Sequence, residues 1–128
     1  MMNYTKYLGI PYTEGGRSFE NVDCYGCVYL IYHDLYGITL PDFQGKSYQG
    51  EFSKLWKPIE KMDLREKDVI LFRTSRTSTA INHIGLFVGE GKMIQCLENS
   101  GGVAIDRIER PYWSKNYYKA FRYQGDVR

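Results

Sequence analysis

The most constraining feature of the sequence is a series of five short apolar and β-branched runs in the second half of the chain, after Pro58. Turn residues separate the runs, which cover residues 68–72, 84–88, 93–97, 103–108 and 118–123. Each run has the length and composition of a β-strand, and Gly89-Glu90-Gly91 is a tight hairpin signal between the second and third. Because short turns join successive strands, the pattern predicts an antiparallel sheet of about five strands.

The first half of the chain has a helical pattern instead. Apolar side chains recur at helical spacing over residues 24–36, at Cys24, Val28, Ile31 and Leu35. Asp23 is suited to cap the start of this helix, and Gly37 to end it. A second, short helix is predicted over residues 48–56. The sequence therefore predicts an α+β fold in which one helix packs on a face of the sheet.

Length and charge narrow the range of functions. A chain of 128 residues fits one domain spanning residues 1–128, and a net charge of +2 lacks the basic excess of a nucleic-acid-binding protein. The sequence has no apolar run suited to a signal peptide or a membrane span. We therefore expect a protein made in the cytoplasm that reaches any target outside the cell by a separate delivery route.

Cys24 is the first candidate for chemistry, because it would lie in the first turn of the predicted helix. The positive end of the helix dipole and the exposed backbone N–H groups there favour an anion and lower the pKa of a thiol. The alternative is that Cys24 is a small buried side chain on the apolar stripe. Three cysteines are too few for a disulfide framework, and reduced thiols are expected.

His83 and Gln95 are candidates for the partners of Cys24. The chain has two histidines, and because His33 lies well along the helix, His83 at the start of a predicted strand remains as the base. Gln95 is on the next strand of the hairpin, where its amide can accept the imidazole N–H and fix the ring tautomer. Taken alone, Gln95 fits an ordinary strand residue better than a catalytic one, and Cys96 beside it is expected to be a core residue.

These residues lie within an ordered set of segments that resembles the NlpC family of papain-like cell-wall peptidases. The segments are Gly9-Ile10-Pro11-Tyr12 with Gly15-Gly16, Asp23-Cys24-Tyr25-Gly26, Asp68-Val69-Ile70-Leu71-Phe72, His83-Ile84-Gly85-Leu86-Phe87 with Gly89 and Gly91, and Met93-Ile94-Gln95. The resemblance runs in order from residue 7 to residue 122. It implies a papain-like fold with the nucleophile at the start of a helix.

The resemblance also implies roles for individual residues. Cys24 matches the nucleophile, His83 the general base and Gln95 the residue that orients the base. Tyr12 matches a tyrosine near the oxyanion region, and Asp23 an acidic residue that helps to hold a free amine of the substrate. The implied reaction is hydrolysis of amide bonds in peptidoglycan stems, between D-glutamate and diaminopimelate or lysine, with no metal and no cofactor.

Three positions depart from the family pattern. Tyr25 follows the nucleophile where a serine is common, and it is expected to change the size or polarity of the substrate pocket. Asp42 follows Leu40-Pro41 where an arginine is frequent, and Gln95 stands where histidine is usual. The substrate is therefore less firmly implied than the chemistry.

Other functions fit parts of the sequence. Cys24 and Cys27 form a Cys-x-x-Cys motif, which suggests a thiol oxidoreductase, but a strand is expected before such a helix and the predicted sheet follows it. A zinc site would need a second ligand pair at suitable spacing. A non-catalytic binding module of the same fold, or a hydrolase or acyltransferase acting on a non-wall substrate, remains open. For a wall hydrolase, delivery by a phage tail or by secretion machinery is the expected route.

Overall fold

A computed structural model describes residues 2–42, 55–74 and 81–125 of the chain. Residues 48–54 of the helix predicted over 48–56 lie outside these residues. Within them, Trp56 begins a β-strand, so the predicted helix is wrong at its C-terminal end. None of the helices in the described ranges is long and apolar enough to cross a membrane.

The described residues form a six-stranded sheet and a separate two-stranded one. The strands are β1 (Arg17–Ser18), β2 (Asn21–Val22), β3 (Trp56–Ile59), β4 (Val69–Phe72), β5 (His83–Gly89), β6 (Lys92–Leu97), β7 (Gly102–Arg107) and β8 (Tyr117–Tyr123). The large sheet has the order β3-β8-β4-β5-β6-β7, and all its neighbouring strands are antiparallel. The five predicted strands are confirmed. The sixth, β3, is an edge strand whose Pro58 argues against a strand by sequence, since proline is tolerated only at such an edge.

The predicted helix is also confirmed in position. The α-helix α1 spans Cys24–Ile31 and continues as a π-helical segment over Tyr32–Tyr36. Gly37 ends it with a φ of 72°, the left-handed conformation in which glycine avoids a steric cost. A second α-helix, α2, spans Pro111–Asn116 between β7 and β8.

Side chains alternate across the large sheet, and each face has its own core. The face covered by α1 carries an apolar cluster that includes Leu71, Ile84 and Cys96. The other face carries a second apolar cluster, which includes Phe72 of β4, Met93 of β6 and Trp113 of α2. Since α1 packs against both β5 and β6, the start of the helix and the hairpin are held together in one α+β unit.

Candidate functional site

The first turn of α1 is held by the Asp23 carboxylate. Asp23 Oδ1 accepts hydrogen bonds from Gly26 N at 2.7 Å and from the Arg17 guanidinium at 2.7 Å, and its Oδ2 accepts from Gly15 N at 2.8 Å. The predicted N-cap is therefore confirmed. Only glycine fits at position 26, because the backbone of Gly16 passes so close that a Cβ on residue 26 would lie 1.9 Å from the Gly16 carbonyl oxygen.

Arg17 was not singled out from the sequence, although it links two of the predicted positions. Its guanidinium bonds Asp23 and also lies 3.1 Å from Asp42, so the departure at Asp42 supplies a second carboxylate to this arginine. The guanidinium stacks 5.5 Å from the ring centre of Tyr25. The Tyr25 side chain is buried and its hydroxyl donates to the Pro41 carbonyl oxygen at 2.6 Å. Tyr25 therefore packs in the core behind the helix start.

None of the three cysteines is in a disulfide, and their surroundings differ. Cys24 is the first residue of α1 and is partly exposed, whereas Cys27 and Cys96 are buried. Burial raises the pKa of Cys27 well above its usual value and that of Cys96 to about 11, with a further contribution from the nearby Cys24. Only Cys24 thus combines solvent access with the helix N-terminus. Among the described residues, no group of three or more His, Cys, Asp and Glu side chains is arranged to hold a metal ion.

Tyr12 lies beside the start of α1. It forms a bridge with Val22, the residue before Asp23. The pKa of Tyr12 is raised to about 12, mainly by burial and to a smaller extent by electrostatic interaction with Cys24 and Asp23. The hydroxyl is therefore protonated at neutral pH and is available as a hydrogen-bond donor. Tyr12, Asp23 and Cys24 thus lie close together at the start of α1.

His83 and Gln95 are in direct contact on β5 and β6. His83 Nε2 lies 3.0 Å from Gln95 Oε1, and both side chains are 2% exposed. Burial lowers the pKa of His83 to about 4, although the hydrogen bond to Gln95 acts in the opposite direction. The imidazole is therefore neutral at pH 7, the state in which it can accept a proton.

Two further residues hold this pair and were missed from the sequence. The indole of Trp113 stacks on the His83 ring, with centres 5.3 Å apart and planes 20° from parallel. Gln95 Nε2 donates to Asp106 Oδ2 at 3.1 Å, and Asp106 Oδ1 accepts from Arg110 at 2.6 Å. No motif marked them, but strand register was a usable signal for Asp106, because it lies diagonally across β6 and β7 from Gln95.

The structure brings two residues of the predicted triad into direct contact. His83 and Gln95 share a hydrogen bond, whereas Cys24 is placed relative to them by the packing of α1 on β5 and β6. Cys24 packs against the cluster on the helix side, and the His83 ring lies near Phe72 and Trp113 of the other cluster. A partly exposed thiol at a helix start and a buried neutral imidazole are the components of a cysteine nucleophile with a general base.

Comparison with known proteins places this arrangement in a family, because residues 9–122 match NlpC/P60. The chain belongs to the NlpC/P60 family. The predicted resemblance is thereby confirmed, and so is the papain-like α+β fold, for which NlpC/P60 proteins are the structural neighbours. The six-stranded sheet follows the helix, and the strands before it are a two-residue pair in a separate sheet, so the described residues lack the βαβ context expected of a Cys-x-x-Cys oxidoreductase.

Three relatives illustrate the match. Murein DD-endopeptidase MepH of Escherichia coli (strain K12) is 34% identical over 123 residues, which cover 95% of this chain and 44% of MepH. A gamma-D-glutamyl-L-lysine dipeptidyl-peptidase of Bacillus cereus is 29% identical, covering 91% of this chain and 33% of that protein. The crystal structure of an NlpC/P60 family protein from Bacillus cereus has a TM-score of 0.74 and 30% identity, covering 91% of this chain and 36% of that one. The chain therefore spans less than half of each relative.

Proposed function

We propose that this chain is a cysteine peptidase that hydrolyses amide bonds in peptidoglycan stem peptides, with Cys24 as nucleophile and His83 as general base. The observation that carries the proposal is the buried, neutral His83 hydrogen-bonded to Gln95 on the two strands against which the helix of Cys24 packs. Murein endopeptidases and a gamma-D-glutamyl-L-lysine dipeptidyl-peptidase among its relatives support the choice of substrate class.

In the proposed reaction, His83 removes the Cys24 thiol proton as the sulfur attacks the carbonyl carbon of the scissile amide. The resulting tetrahedral intermediate collapses to a thioester as the amine leaves with a proton from the imidazolium. Water, activated by the neutral His83, then attacks the thioester carbonyl and releases the carboxylic acid and the Cys24 thiol. No metal and no organic cofactor takes part in this sequence.

The oxyanion of the tetrahedral intermediate would form at the start of α1. The positive end of the helix dipole stabilises negative charge there, and the Cys24 backbone N–H is the donor we assign. The Tyr12 hydroxyl, protonated because its pKa is about 12, is the second donor that we assign. A donor placed where charge develops stabilises the transition state more than the bound substrate.

Asp23 and Tyr25 are assigned to the substrate end of the site by resemblance, and their contacts limit what they can do. Asp23 already accepts bonds from two backbone N–H groups and from Arg17, so an amine of the substrate would have to share its charge with a guanidinium. Tyr25 is buried with its hydroxyl on the Pro41 carbonyl oxygen, so an effect on the substrate would be indirect, through packing around the start of α1. We propose cleavage at D-glutamyl-diaminopimelate or D-glutamyl-lysine bonds, and delivery to the wall by a phage tail or a secretion machinery.

Digestion of purified peptidoglycan tests this function. The parent chain and the Cys24→Ala variant are incubated with walls of the diaminopimelate type and of the lysine type, and released fragments are identified by mass spectrometry. We expect new free amino groups on diaminopimelate or lysine with the parent and none with the variant. If neither wall yields a fragment, the proposal fails and a binding module of the same fold, or a hydrolase for another substrate, becomes the better account.

A further inference from the structure

The Gln95 side chain lies between His83 and a carboxylate that the proposed mechanism does not use. Its Oε1 is 3.0 Å from His83 Nε2, and its Nε2 is 3.1 Å from Asp106 Oδ2. We infer that Asp106 is a positioning residue of the active site, which fixes the orientation of the Gln95 amide and through it the tautomer of His83. This inference rests on the proposed function, since it assigns a role within the same site.

The inference follows from what each group can donate. A side-chain amide is able to sit in two orientations related by exchange of its oxygen and nitrogen, and its neighbours decide between them. A carboxylate only accepts hydrogen bonds, so the amide atom facing Asp106 must be the nitrogen. The oxygen of Gln95 then faces His83 and requires a hydrogen on His83 Nε2. In the neutral ring, the lone pair is consequently on Nδ1.

The burial of the network makes the alternative arrangement costly. His83 and Gln95 are each 2% exposed, and the Asp106 side chain is 18% exposed. With the amide reversed, its oxygen would face the Asp106 carboxylate and two acceptors would meet with no hydrogen between them. A buried polar group left without a partner is destabilising, so one orientation is selected. Arg110 holds Asp106 from the outer side by its bond to Oδ1.

The nature of residue 95 explains why an outer carboxylate is needed. A carboxylate in the third position of a triad accepts the imidazole N–H without further help, because it has no donor. Glutamine presents either an acceptor or a donor to His83, and only the acceptor leaves a base at Nδ1. Since Nε2 is bonded to Gln95, Nδ1 is the nitrogen through which His83 would take the Cys24 proton. Asp106 therefore selects the orientation of the Gln95 amide that presents an acceptor to His83.

The tautomer of His83 is measurable without substrate. Nitrogen-15 NMR of the ring at pH 7 separates a protonated from an unprotonated nitrogen, and we expect the parent to carry the proton on Nε2. In Asp106→Asn the new side chain is isosteric, and its oxygen is drawn to Arg110, which turns its NH2 group to Gln95. That arrangement reverses the Gln95 amide, and we expect a substantial population with the proton on Nδ1.

Arg110→Ala is the matched control, because it removes the same ion pair but leaves the Asp106 carboxylate on Gln95. We expect it to keep the parental tautomer. In peptidoglycan digestion, Asp106→Asn should lower kcat by roughly tenfold with KM within about twofold, whereas Arg110→Ala should stay within about twofold of the parent in both.

Two results would overturn the inference. One is a parental His83 with its proton on Nδ1, which needs no variant and therefore does not depend on whether Asp106→Asn folds. The other is an Asp106→Asn protein that is folded by circular dichroism and retains the Nε2–H tautomer. Absence of hydrolysis by the parent would refute the proposed function instead, and the NMR result would still decide the role of Asp106.

Discussion

The two halves of the proposed site are built in different ways. At the start of α1, backbone groups of residues close in sequence hold the position of Cys24, through the cap of Asp23 on Gly26 and Gly15. On β5, β6 and β7, a row of side chains distant in sequence holds His83, through Gln95 and Asp106 with Trp113 stacked on the ring. The first half depends on contacts between residues close in sequence, and the second depends on the assembled sheet.

The difference indicates what each half contributes to function. The Asp23 cap keeps the thiol at the positive end of the helix dipole, and its hydrogen bonds contribute mainly to the stability of the helix. The row of side chains keeps the His83 imidazole buried, neutral and in one tautomer, so substitutions in it should mainly change the turnover rate. Substitutions in the two halves should therefore change different measured quantities, and the following predictions use that separation.

Removal of the thiol should have the largest effect. Cys24→Ala should lower the rate of peptidoglycan hydrolysis by roughly three orders of magnitude or more, because no group then remains to form the thioester. The control is Cys27→Ala, one helical turn away, which should hydrolyse the same bond with some loss of stability from the vacated core volume. Disulfide-reductase activity that disappears in either variant would favour a redox function instead.

The buried His83 should make the protein sensitive to acid. Its pKa is about 4 in the folded state against 6.5 for an ordinary histidine, so between these values the unfolded chain binds the proton and the folded chain does not. This contribution to stability is complete above pH 6.5 and is lost as the pH falls to about 4, a total of about 3 kcal/mol.

Urea unfolding of the parent and of His83→Gln from pH 7 to pH 4 measures this contribution. Glutamine does not titrate, and its amide is able to donate to Gln95 in place of the ring, so the variant should lose less stability than the parent over that range. Parallel pH profiles for the two proteins would show that His83 is not the group responsible.

Loss of the Asp23 cap on α1 should mainly lower the stability of the protein. Asp23→Ala removes the acceptor of Gly26 N, Gly15 N and Arg17, and should lower the free energy of unfolding by about 2 kcal/mol. Asp42→Ala is the matched control, because it removes the more exposed carboxylate bound to the same arginine and should cost well under about 1 kcal/mol. Equal unfolding midpoints in urea for the two variants would contradict a dominant role for the cap.

Gln95 should affect hydrolysis less than Cys24 does, and mainly through turnover. Gln95→Ala removes the bond to His83 Nε2, and we expect a loss of about tenfold in kcat with alkylation of Cys24 unchanged. Gln95→His should retain more activity, since one ring nitrogen accepts from His83 while the other donates to Asp106. Parental turnover by a folded Gln95→Ala protein would reduce the triad to a pair.

The local half could be predicted from the sequence in detail. Asp23 as N-cap and Gly37 as C-terminal stop follow from rules that act over a few residues, so the helix was predicted with both ends. The β5–β6 hairpin was predicted for the same reason, and it brought Gln95 to His83. The edge strand β3 was missed, because Pro58 is a poor strand residue unless tertiary pairing with β8 places it at an edge.

The distant half was predicted only in part. Gln95 was found because a single hairpin joins it to His83, but Asp106 requires the register of β7 and Trp113 the position of α2. In the first half Arg17 was missed, since its partner Asp42 follows the helix in sequence and reaches Arg17 only in the folded protein. Pairings that depend on tertiary packing leave no periodic signal in one sequence.

The central claim, that Cys24 is the reactive thiol of this chain, is tested most directly by limited alkylation with iodoacetamide near pH 7, followed by peptide mapping. Cys24 is partly exposed at a helix start, whereas Cys27 and Cys96 are buried with raised pKa values, so nearly all early label should be on Cys24. Labelling of Cys27 or Cys96 at a comparable or higher rate in the folded protein would contradict the assignment of the nucleophile.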